Sequence, residues 1–227
     1  MLCLKQFTHK FGLDSIKLWW KVQLMNAASF FQIFTDKIYS TSDIISFYWN
    51  SESKCFTNTV IPIILEIIRS SGCETSKEYF RIDATGWKTT YQEIQDQAKG
   101  IGLNPHLWDL EIAVEHENSK KDWSDEIIKL LHIRCPLKVV IGYNNCKNNA
   151  RDNGVYSDKR KLALVSEWME RTKAMNQLRK EAGAAVGEEF LVIIGNAGKN
   201  PDDSDPRKSF DYRGYRYNYQ LRAFEEI

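Results

Sequence analysis

The sequence predicts an α/β fold in which helices flank a mixed central sheet. Residues 137–143 and 190–194 are near-continuous apolar runs, which is typical of strands covered on both faces. Residues 122–132 and 157–180 have apolar side chains at helical spacing, and each of these segments precedes one of the runs. A strand, a helix and a second strand in this order form a right-handed crossover, so the two strands are expected to be parallel neighbours.

The composition is that of an ordinary soluble globular protein, and it excludes several classes. The 227 residues, 43% of them hydrophobic, suffice for one buried core, and 31 basic against 30 acidic residues give a formal net charge of +1. This balance provides no general attraction to nucleic acid or to an anionic membrane, so any anion binding must be local. Five cysteines without a C-x-x-C pair argue against a disulfide framework and a structural zinc site, and they fit a cytoplasmic location.

The N-terminal quarter is predicted to differ from the rest of the chain. Residues 1–54 are expected to form a mainly helical extension, and residues 55–227 the α/β domain. Within the extension, apolar spacing over residues 14–35 indicates a helix with Asp14 as its N-cap. Charged and amide side chains interrupt the apolar stretch at residues 16–34, and no signal-peptide cleavage pattern follows it, so no membrane partner is expected.

The α/β domain is predicted to begin with a helix and a strand. Residues 59–68 have the pattern of a buried helix that carries a single charge, Glu66, and a buried Glu needs a partner. Residues 78–83 resemble a strand, and residues 84–86 favour a turn. Asp83 is therefore expected at the end of a strand, where an Asp can also serve simply as a turn cap.

A strand with acidic side chains, residues 107–117, follows a predicted surface helix or long loop at residues 89–102. Because side chains alternate along a strand, four carboxylates are expected on one face, and His116 on the opposite face as a core histidine. These acids are Asp109, Glu111, Glu115 and Glu117. Four acids on one face repel each other, so the face requires open water or a bound cation, and carboxylates most often bind a divalent metal.

Two segments near the C-terminus complete the predicted domain. Residues 144–154 form a polar loop at the exit of a core strand, where open α/β sheets tend to bind ligands, and this loop carries Lys147 and Arg151. Residues 210–221 are predicted to form the last strand.

The order of these elements is a buried helix with one Glu, a strand ending in Asp, a strand bearing Glu-x-Glu, a helix and a buried strand. Over residues 59–143 this order resembles the PD-(D/E)XK nuclease superfamily, which has the restriction-endonuclease-like fold. The residues that carry the resemblance are Arg81-Ile-Asp83, Val114-Glu-His-Glu-Asn118, and the segments 123–131 and 138–143. The resemblance implies a metal-dependent endonuclease that hydrolyses DNA phosphodiester bonds.

The resemblance also implies a metal site. In that superfamily the Asp and the first acid of the (D/E)-x-K element hold Mg²⁺ beside the scissile phosphate, and by position these residues are Asp83 and Glu115. Glu66 matches the helix Glu of many members, and Glu117 is expected to join the same site. Hydrolysis needs a metal that polarises the phosphoryl group and generates hydroxide, and Mn²⁺ is expected to substitute for Mg²⁺.

The sequence departs from the motif at its lysine, which is replaced by Glu117. Either Glu117 serves through a second metal, or the lysine has moved to the next helix, where Lys129 is the best placed candidate. Glu117 is the favoured alternative, because it is already on the correct face of the strand. Lys129 has the simpler interpretation of a solvated residue at the edge of an amphipathic helix.

Nucleic-acid contacts are expected just outside the acidic strand and in the polar loop. Lys120 and Lys121 suit phosphate contacts, as do Lys147 and Arg151, and the expected partner is DNA. A homodimer is expected if both strands of a duplex are cut. A nuclease-fold protein that binds DNA or a partner protein without cleavage is the alternative, whereas the absence of G-x-G-x-x-G and P-loop motifs argues against a nucleotide-binding protein.

Overall fold

The computed structural model describes residues 25–41, 53–88, 91–103, 109–119, 122–145, 155–176, 188–197 and 210–227. The helices in these ranges are α1 (Ala27–Ser40), α2 (Ser53–Ser70), α3 (Gln92–Gly100), α4 (Trp123–Leu131) and α5 (Val155–Arg171). The strands are β1 (Glu74–Tyr79), β2 (Ile82–Lys88), β3 (Asp109–His116), β4 (Leu137–Asn145), β5 (Glu189–Ala197), β6 (Phe210–Asn218) and β7 (Ala223–Glu226).

The strands form one mixed sheet of seven, in the order β1-β2-β3-β4-β5-β6-β7. Strands β1, β2 and β3 are antiparallel neighbours, β3, β4 and β5 are parallel, and β5, β6 and β7 are again antiparallel. The α/β class and the parallel pairing of the acidic strand with β4 are therefore confirmed. The two apolar runs lie in β4 and β5, where the sheet has helices on both faces.

Helices α1 and α2 cover one face of the sheet, and α4 and α5 cover the other. The first face buries a cluster that includes Phe30 of α1, Val60 of α2 and Val139 of β4. The second face buries another cluster, which includes Ile127 of α4 and Val140 of β4. Each layer is held by the apolar side of its helices, because removing that surface from water is the main favourable term in folding.

Helix α1 packs against the sheet through a fully buried apolar face. Ala27, Phe30, Phe34 and Ile38 are fully buried at helical spacing, and the helix contacts α2, β5 and β6. The Asn26 side chain caps the helix by accepting a hydrogen bond from the Ser29 backbone N–H at 2.8 Å. The described part of the expected N-terminal extension thus packs on the α/β sheet, whereas Asp14 lies outside the described residues and the division at residue 54 stays a prediction.

Helix α2 confirms the helix predicted at residues 59–68, and it packs very closely on β2. A Cβ atom at Gly86 would lie 2.2 Å from Ile68 Cγ2, so only glycine permits this approach. Gly72 follows the helix with a φ of +80°, which is typical of the residue that ends a helix.

The strand predicted at residues 78–83 is wrong, because the chain reverses there. Tyr79 pairs with Ile82, which leaves Phe80 and Arg81 as a two-residue hairpin turn with φ values of 48° and 62°. Positive φ at both central residues is the geometry of a type I′ turn, which usually contains Asn or Gly. Asp83 therefore lies near the start of β2, and the turn predicted at residues 84–86 is also wrong, since this segment pairs with both neighbouring strands.

A β-bulge in β3 divides the predicted row of acids. Gly86 pairs with Ile112 and the next residue, Trp87, pairs with Leu110, so Glu111 is an extra residue in β3. Leu110 consequently packs with the cluster under α4, whereas Glu111 lies beside Cys73 and Ile112 on the face that α1 and α2 cover. The expectation of four acids on one face is wrong for this reason.

The C-terminal elements differ from their predicted lengths. Helix α5 begins at Val155 and ends at Arg171, well before residue 180. The last predicted strand is interrupted, since β6 ends at Asn218 and the chain returns as β7. Among the described helices, none is long and apolar enough to cross a membrane. Cys55, Cys73 and Cys135 are free thiols.

Candidate active site

Strands β2 and β3 bring two of the predicted site residues to the same edge of the sheet. Ala84 pairs with Val114 in the antiparallel register, which places Asp83 level with Glu115. Residues directly opposite each other on antiparallel strands have Cβ atoms about 4.5–5.5 Å apart. Asp83 begins its strand and Glu115 is near the end of the other, so the two carboxylates meet because the strands run in opposite directions.

Lys129 of α4 reaches these carboxylates from above the sheet. Its Nζ lies 2.7 Å from Glu115 Oε1 and 2.5 Å from Glu126 Oε2, and it donates a hydrogen bond of 3.0 Å to the Arg81 carbonyl. Only the contact with the Arg81 carbonyl has hydrogen-bond geometry, whereas Glu115 Oε1 and Glu126 Oε2 are ion-paired with the ammonium and accept no hydrogen bond among the described residues. We name Asp83, Glu115, Glu126 and Lys129 the carboxylate–lysine cluster.

Burial determines the electrostatics of the cluster. Glu115 is only 2% exposed, and this desolvation raises its pKa from 4.5 to about 8, against the opposing effect of the Lys129 ammonium. Burial also raises the pKa of Asp83, although the His116 backbone N–H and Lys129 favour its charged form. Burial lowers the pKa of Lys129, but Glu115 and Glu126 more than compensate, so the net shift of this pKa is upwards. The lysine therefore stays charged at neutral pH.

His116 holds Asp83 in place through its backbone and is itself a core residue, as predicted. Its backbone N–H donates to Asp83 Oδ2 at 2.8 Å. Its ring is buried against Phe56, with Nε2 2.8 Å from the Tyr143 hydroxyl. Burial lowers the pKa of His116 to about 3, so the imidazole is neutral and takes no part in the charge balance of the cluster.

Glu117 is directed away from the cluster. Its backbone N–H donates to the Ile141 carbonyl, and its Oε1 accepts from the Ser119 backbone N–H at 2.5 Å. The carboxylate thus closes a local turn at the end of the strand. The structure places Lys129, not Glu117, beside Glu115, so the preference for Glu117 that strand alternation gave is not supported by the geometry.

Glu66 does not join the other predicted residues. Helix α2 covers the opposite face of the sheet from α4, and the Glu66 side chain is 63% exposed. It forms an ion pair of 2.6 Å with Lys37 of α1. The expectation that Glu66 is buried is wrong, because the helix turns this position outwards at the α1–α2 seam.

Glu126 is the cluster member that sequence reasoning missed. It precedes Lys129 by three residues on α4, a spacing that places two side chains on one face of a helix. That spacing was the available signal. Lys120, Lys121, Lys147 and Arg151, the predicted nucleic-acid contacts, lie outside the described residues and stay predictions.

The donor set of the cluster suits a hard divalent cation, although the cluster is arranged around an ammonium. Within the described ranges, no three His, Cys, Asp or Glu side chains come together as a metal-binding group. Glu115 and Glu126 nevertheless share one lysine, and Asp83 lies level with Glu115 on the neighbouring strand. Asp83 and Glu115 therefore fit Mg²⁺, which binds one or two carboxylates and completes its shell with water and phosphate oxygens.

A second polar cluster, which the sequence did not reveal, lies at the carboxyl end of β4. Asp158 of α5 is fully buried and accepts hydrogen bonds from the Asn144 amide, from Arg213 Nη1 at 3.1 Å and from the Tyr215 hydroxyl at 3.1 Å. Lys161 donates to the Asn144 side chain. Donors of this number and charge satisfy a buried carboxylate, so this cluster fixes α5 against strands β4 and β6.

Comparison with protein-family models, with curated proteins and with solved structures finds no match for this chain. The fold and the cluster by themselves define a three-layer α/β protein with a carboxylate–lysine site at the edge of a mixed sheet.

Proposed function

We propose that the protein is a Mg²⁺-dependent nuclease of the PD-(D/E)XK type that hydrolyses DNA phosphodiester bonds, with Mn²⁺ as a substitute metal. The observation that carries the proposal is the 2.7 Å contact between Lys129 Nζ and Glu115 Oε1, with Asp83 level with Glu115 on the neighbouring strand. An Asp, a Glu and a Lys are the three residue types of the motif. Here the lysine comes from the helix after the motif strand.

The topology supports a restriction-endonuclease-like fold for the same reason. Apart from α3, which lies between β2 and β3, elements α2, β1, β2, β3, α4 and β4 follow one another as a helix, three antiparallel strands, a helix and a strand parallel to the third. In this arrangement the second and third strands carry the acidic residues of the motif. Asp83 lies on β2 and Glu115 on β3.

The cluster residues divide the chemistry between them. When bound, Mg²⁺ supplies polarisation of the phosphoryl oxygen and a hydroxide at neutral pH. Asp83 and Glu115 would hold it, and the His116 backbone N–H keeps the Asp83 carboxylate oriented. Lys129 stabilises the negative charge that develops on the phosphate, and Glu126 positions its ammonium. Glu115 would hold the cation as an ionised carboxylate, so a proton bound to it at neutral pH would have to leave.

One observation favours the second candidate, a nuclease-fold protein that binds DNA or a partner protein without cleaving it. Lys129 is already paired with both Glu115 and Glu126, and the described residues include no group of three metal-binding side chains. A site arranged in this way is stable without a metal. The choice between the two functions depends on activity, which a cleavage assay measures directly.

The test is cleavage of single-stranded and double-stranded DNA by the full chain in Mg²⁺, in Mn²⁺ and in EDTA. Wild type should cleave only with metal, and Glu115→Gln should abolish cleavage while it keeps the fold, because the change removes the charge and preserves the volume. Glu66→Gln makes the same chemical change on the opposite face and should retain activity. Equal rates for wild type and Glu115→Gln, or cleavage in EDTA, would refute the nuclease proposal.

The same assay tests the role of the lysine. Lys129→Met should reduce the rate by on the order of 10²-fold or more, a typical loss for removing a group that stabilises developing charge. Glu117→Lys should have little effect on the rate, because the Glu117 carboxylate binds the Ser119 backbone N–H, so the substitution removes a contact of the local turn and none of the cluster. A silent Lys129→Met would assign the role to Glu117. A cytoplasmic location and a homodimer are part of the proposal. The molecular mass of the protein in solution, compared with the mass of one chain, tests for the homodimer.

A further inference from the structure

The turn between β1 and β2 combines two features that are unfavourable for stability. We name Phe80 and Arg81 the β1–β2 tip. Both residues have positive φ, 48° and 62°, and Phe80 is 78% exposed. Residues with bulky side chains rarely adopt positive φ, and a large aromatic ring that stays exposed contributes no hydrophobic stabilisation to the fold. Asn or Gly at the same positions would form the turn more favourably.

The tip lies directly beside the candidate active site. The Arg81 carbonyl accepts a hydrogen bond of 3.0 Å from Lys129 Nζ, and the same Nζ contacts Glu115. The Phe80 ring packs edge-to-face on Tyr79, with ring centroids 4.4 Å apart and an interplanar angle of 84°. This packing supports the ring from one side and leaves most of its surface in solvent. The aromatic group is therefore both exposed and held at a defined position next to the cluster.

We propose that the β1–β2 tip is a stacking platform for an unpaired base, so that the substrate is single-stranded or locally unpaired nucleic acid. This inference rests on the proposed nuclease function and specifies its substrate class. Proteins that bind single strands without sequence preference combine exposed aromatic side chains, on which bases stack, with positive charge along the backbone. Phe80 provides the stacking surface and Arg81 the charge.

The chemistry of the tip also predicts that the identity of the bound base is not recognised. A phenyl ring has no hydrogen-bonding group, so it accepts every base through its π-face and distinguishes none of them. In a duplex the base faces are covered by their neighbours in the stack. A strand bound at the tip is expected to be unpaired at that nucleotide, with a phosphate near Lys129.

The test measures binding in a background that does not cleave. Fluorescence anisotropy of a labelled oligothymidine, and of a duplex of equal length, is recorded with Glu115→Gln and with the same chain carrying Phe80→Asn. Asn suits positive φ, so Phe80→Asn should keep or raise the Tm and bind the single strand about tenfold to hundredfold more weakly. Phe80→Trp should restore binding. Duplex affinity should change little.

Leu221→Asn is the matched control, because Leu221 is 64% exposed in the turn between β6 and β7, at the opposite edge of the sheet from β1. It should leave binding unchanged. Unchanged single-strand binding by Phe80→Asn, or an equal loss for single strand and duplex, overturns the inference. If wild type cleaves DNA but Phe80→Asn binds normally, only the platform fails. If nothing is cleaved but Phe80→Asn weakens binding, the platform stands and the proposed catalysis fails.

Discussion

The contribution of Glu115 to the free energy of unfolding of the metal-free protein should become less favourable as pH rises. The pKa of Glu115 is about 8 in the folded chain, against an ordinary value of 4.5 that applies once the chain unfolds. Between these values the folded state retains a proton that the unfolded state has lost, so stability falls by up to about 1.4 kcal/mol per pH unit. The Glu115 contribution costs nothing below about pH 4.5 and reaches its full cost above about pH 8, whereas the buried His116, with its pKa lowered to about 3, acts in the opposite direction between about pH 3 and 6.5.

The magnitude follows from the two pKa values. Relative to a residue that cannot titrate, Glu115 should cost about 1 kcal/mol at pH 5 and about 4–5 kcal/mol at pH 8.5, a difference of about 4 kcal/mol. Glu115 is almost fully buried, so solvent screens little of this cost. Gln at this position imitates the protonated carboxyl and should remove the part of the pH dependence that Glu115 causes, while the parts due to His116 and Asp83 remain in both proteins.

Urea denaturation of wild type and Glu115→Gln, in EDTA at pH 5 and at pH 8.5, measures the effect. The difference between the two proteins should grow by about 4 kcal/mol across this range in favour of the variant. Adding Mg²⁺ at pH 8.5 should stabilise wild type and leave the variant unchanged, because the cation pairs with the ionised Glu115 carboxylate and the Gln amide carries no charge. Parallel pH profiles for the two proteins would refute the assignment of a raised pKa to Glu115.

Two predictions concern packing on the face that α4 covers and at the amino ends of β4 and β5. Gly142→Ala should destabilise the fold by about 1–3 kcal/mol in thermal denaturation, because the new Cβ would lie 2.6 Å from Trp123 Cβ. Gly100→Ala, where nothing lies within 4 Å, should not. Glu188→Gln should cost about 3–5 kcal/mol in urea denaturation, since it leaves the fully buried Lys138 ammonium without its 2.5 Å ion pair, whereas Lys138→Met should be nearly neutral. Equal effects of the last two substitutions would contradict this asymmetry.

Local patterns in the sequence predicted the centre of the fold. The buried positions of α4 and the central residues of β4 and β5 follow from apolar spacing, because each is buried over a whole face or on both faces, although both strands extend beyond their predicted ends. Local patterns could not predict the burial of side chains whose partners lie far away in the sequence. Glu66 is exposed because it pairs with Lys37, which belongs to a helix 29 residues earlier in the chain.

The errors near the site arise from backbone irregularities that residue types did not signal. A turn made of Phe80 and Arg81 contains neither Gly nor Asn, so propensity favoured a continuous strand. Glu111 is an extra residue in β3, so the side chains that precede it point to the opposite face from the one that simple alternation predicts. Glu115 was placed correctly, because it lies beyond the bulge.

The choice between Glu117 and Lys129 could not be made from strand alternation, because the strand ends at His116. After that residue the chain turns, and the Glu117 carboxylate binds the nearby Ser119 backbone. Strand alternation predicts the face on which a side chain leaves the backbone, but it does not predict where the charged end of that side chain lies. A lysine on the next helix can reach back to the strand, since its long stem spans the gap between the two layers.

The position of Lys129 has a consequence for the whole edge of the sheet. Its ammonium contacts Glu115 of β3, Glu126 of α4 and the Arg81 carbonyl of the β1–β2 tip. A lysine on the motif strand itself would leave the tip without this donor. Because one charged group joins the strand, the helix and the hairpin, a displacement of the tip by a bound strand changes the environment of Glu115. If the proposed substrate displaces the tip when it binds, the pKa of Glu115 should change with it, because both depend on the same lysine.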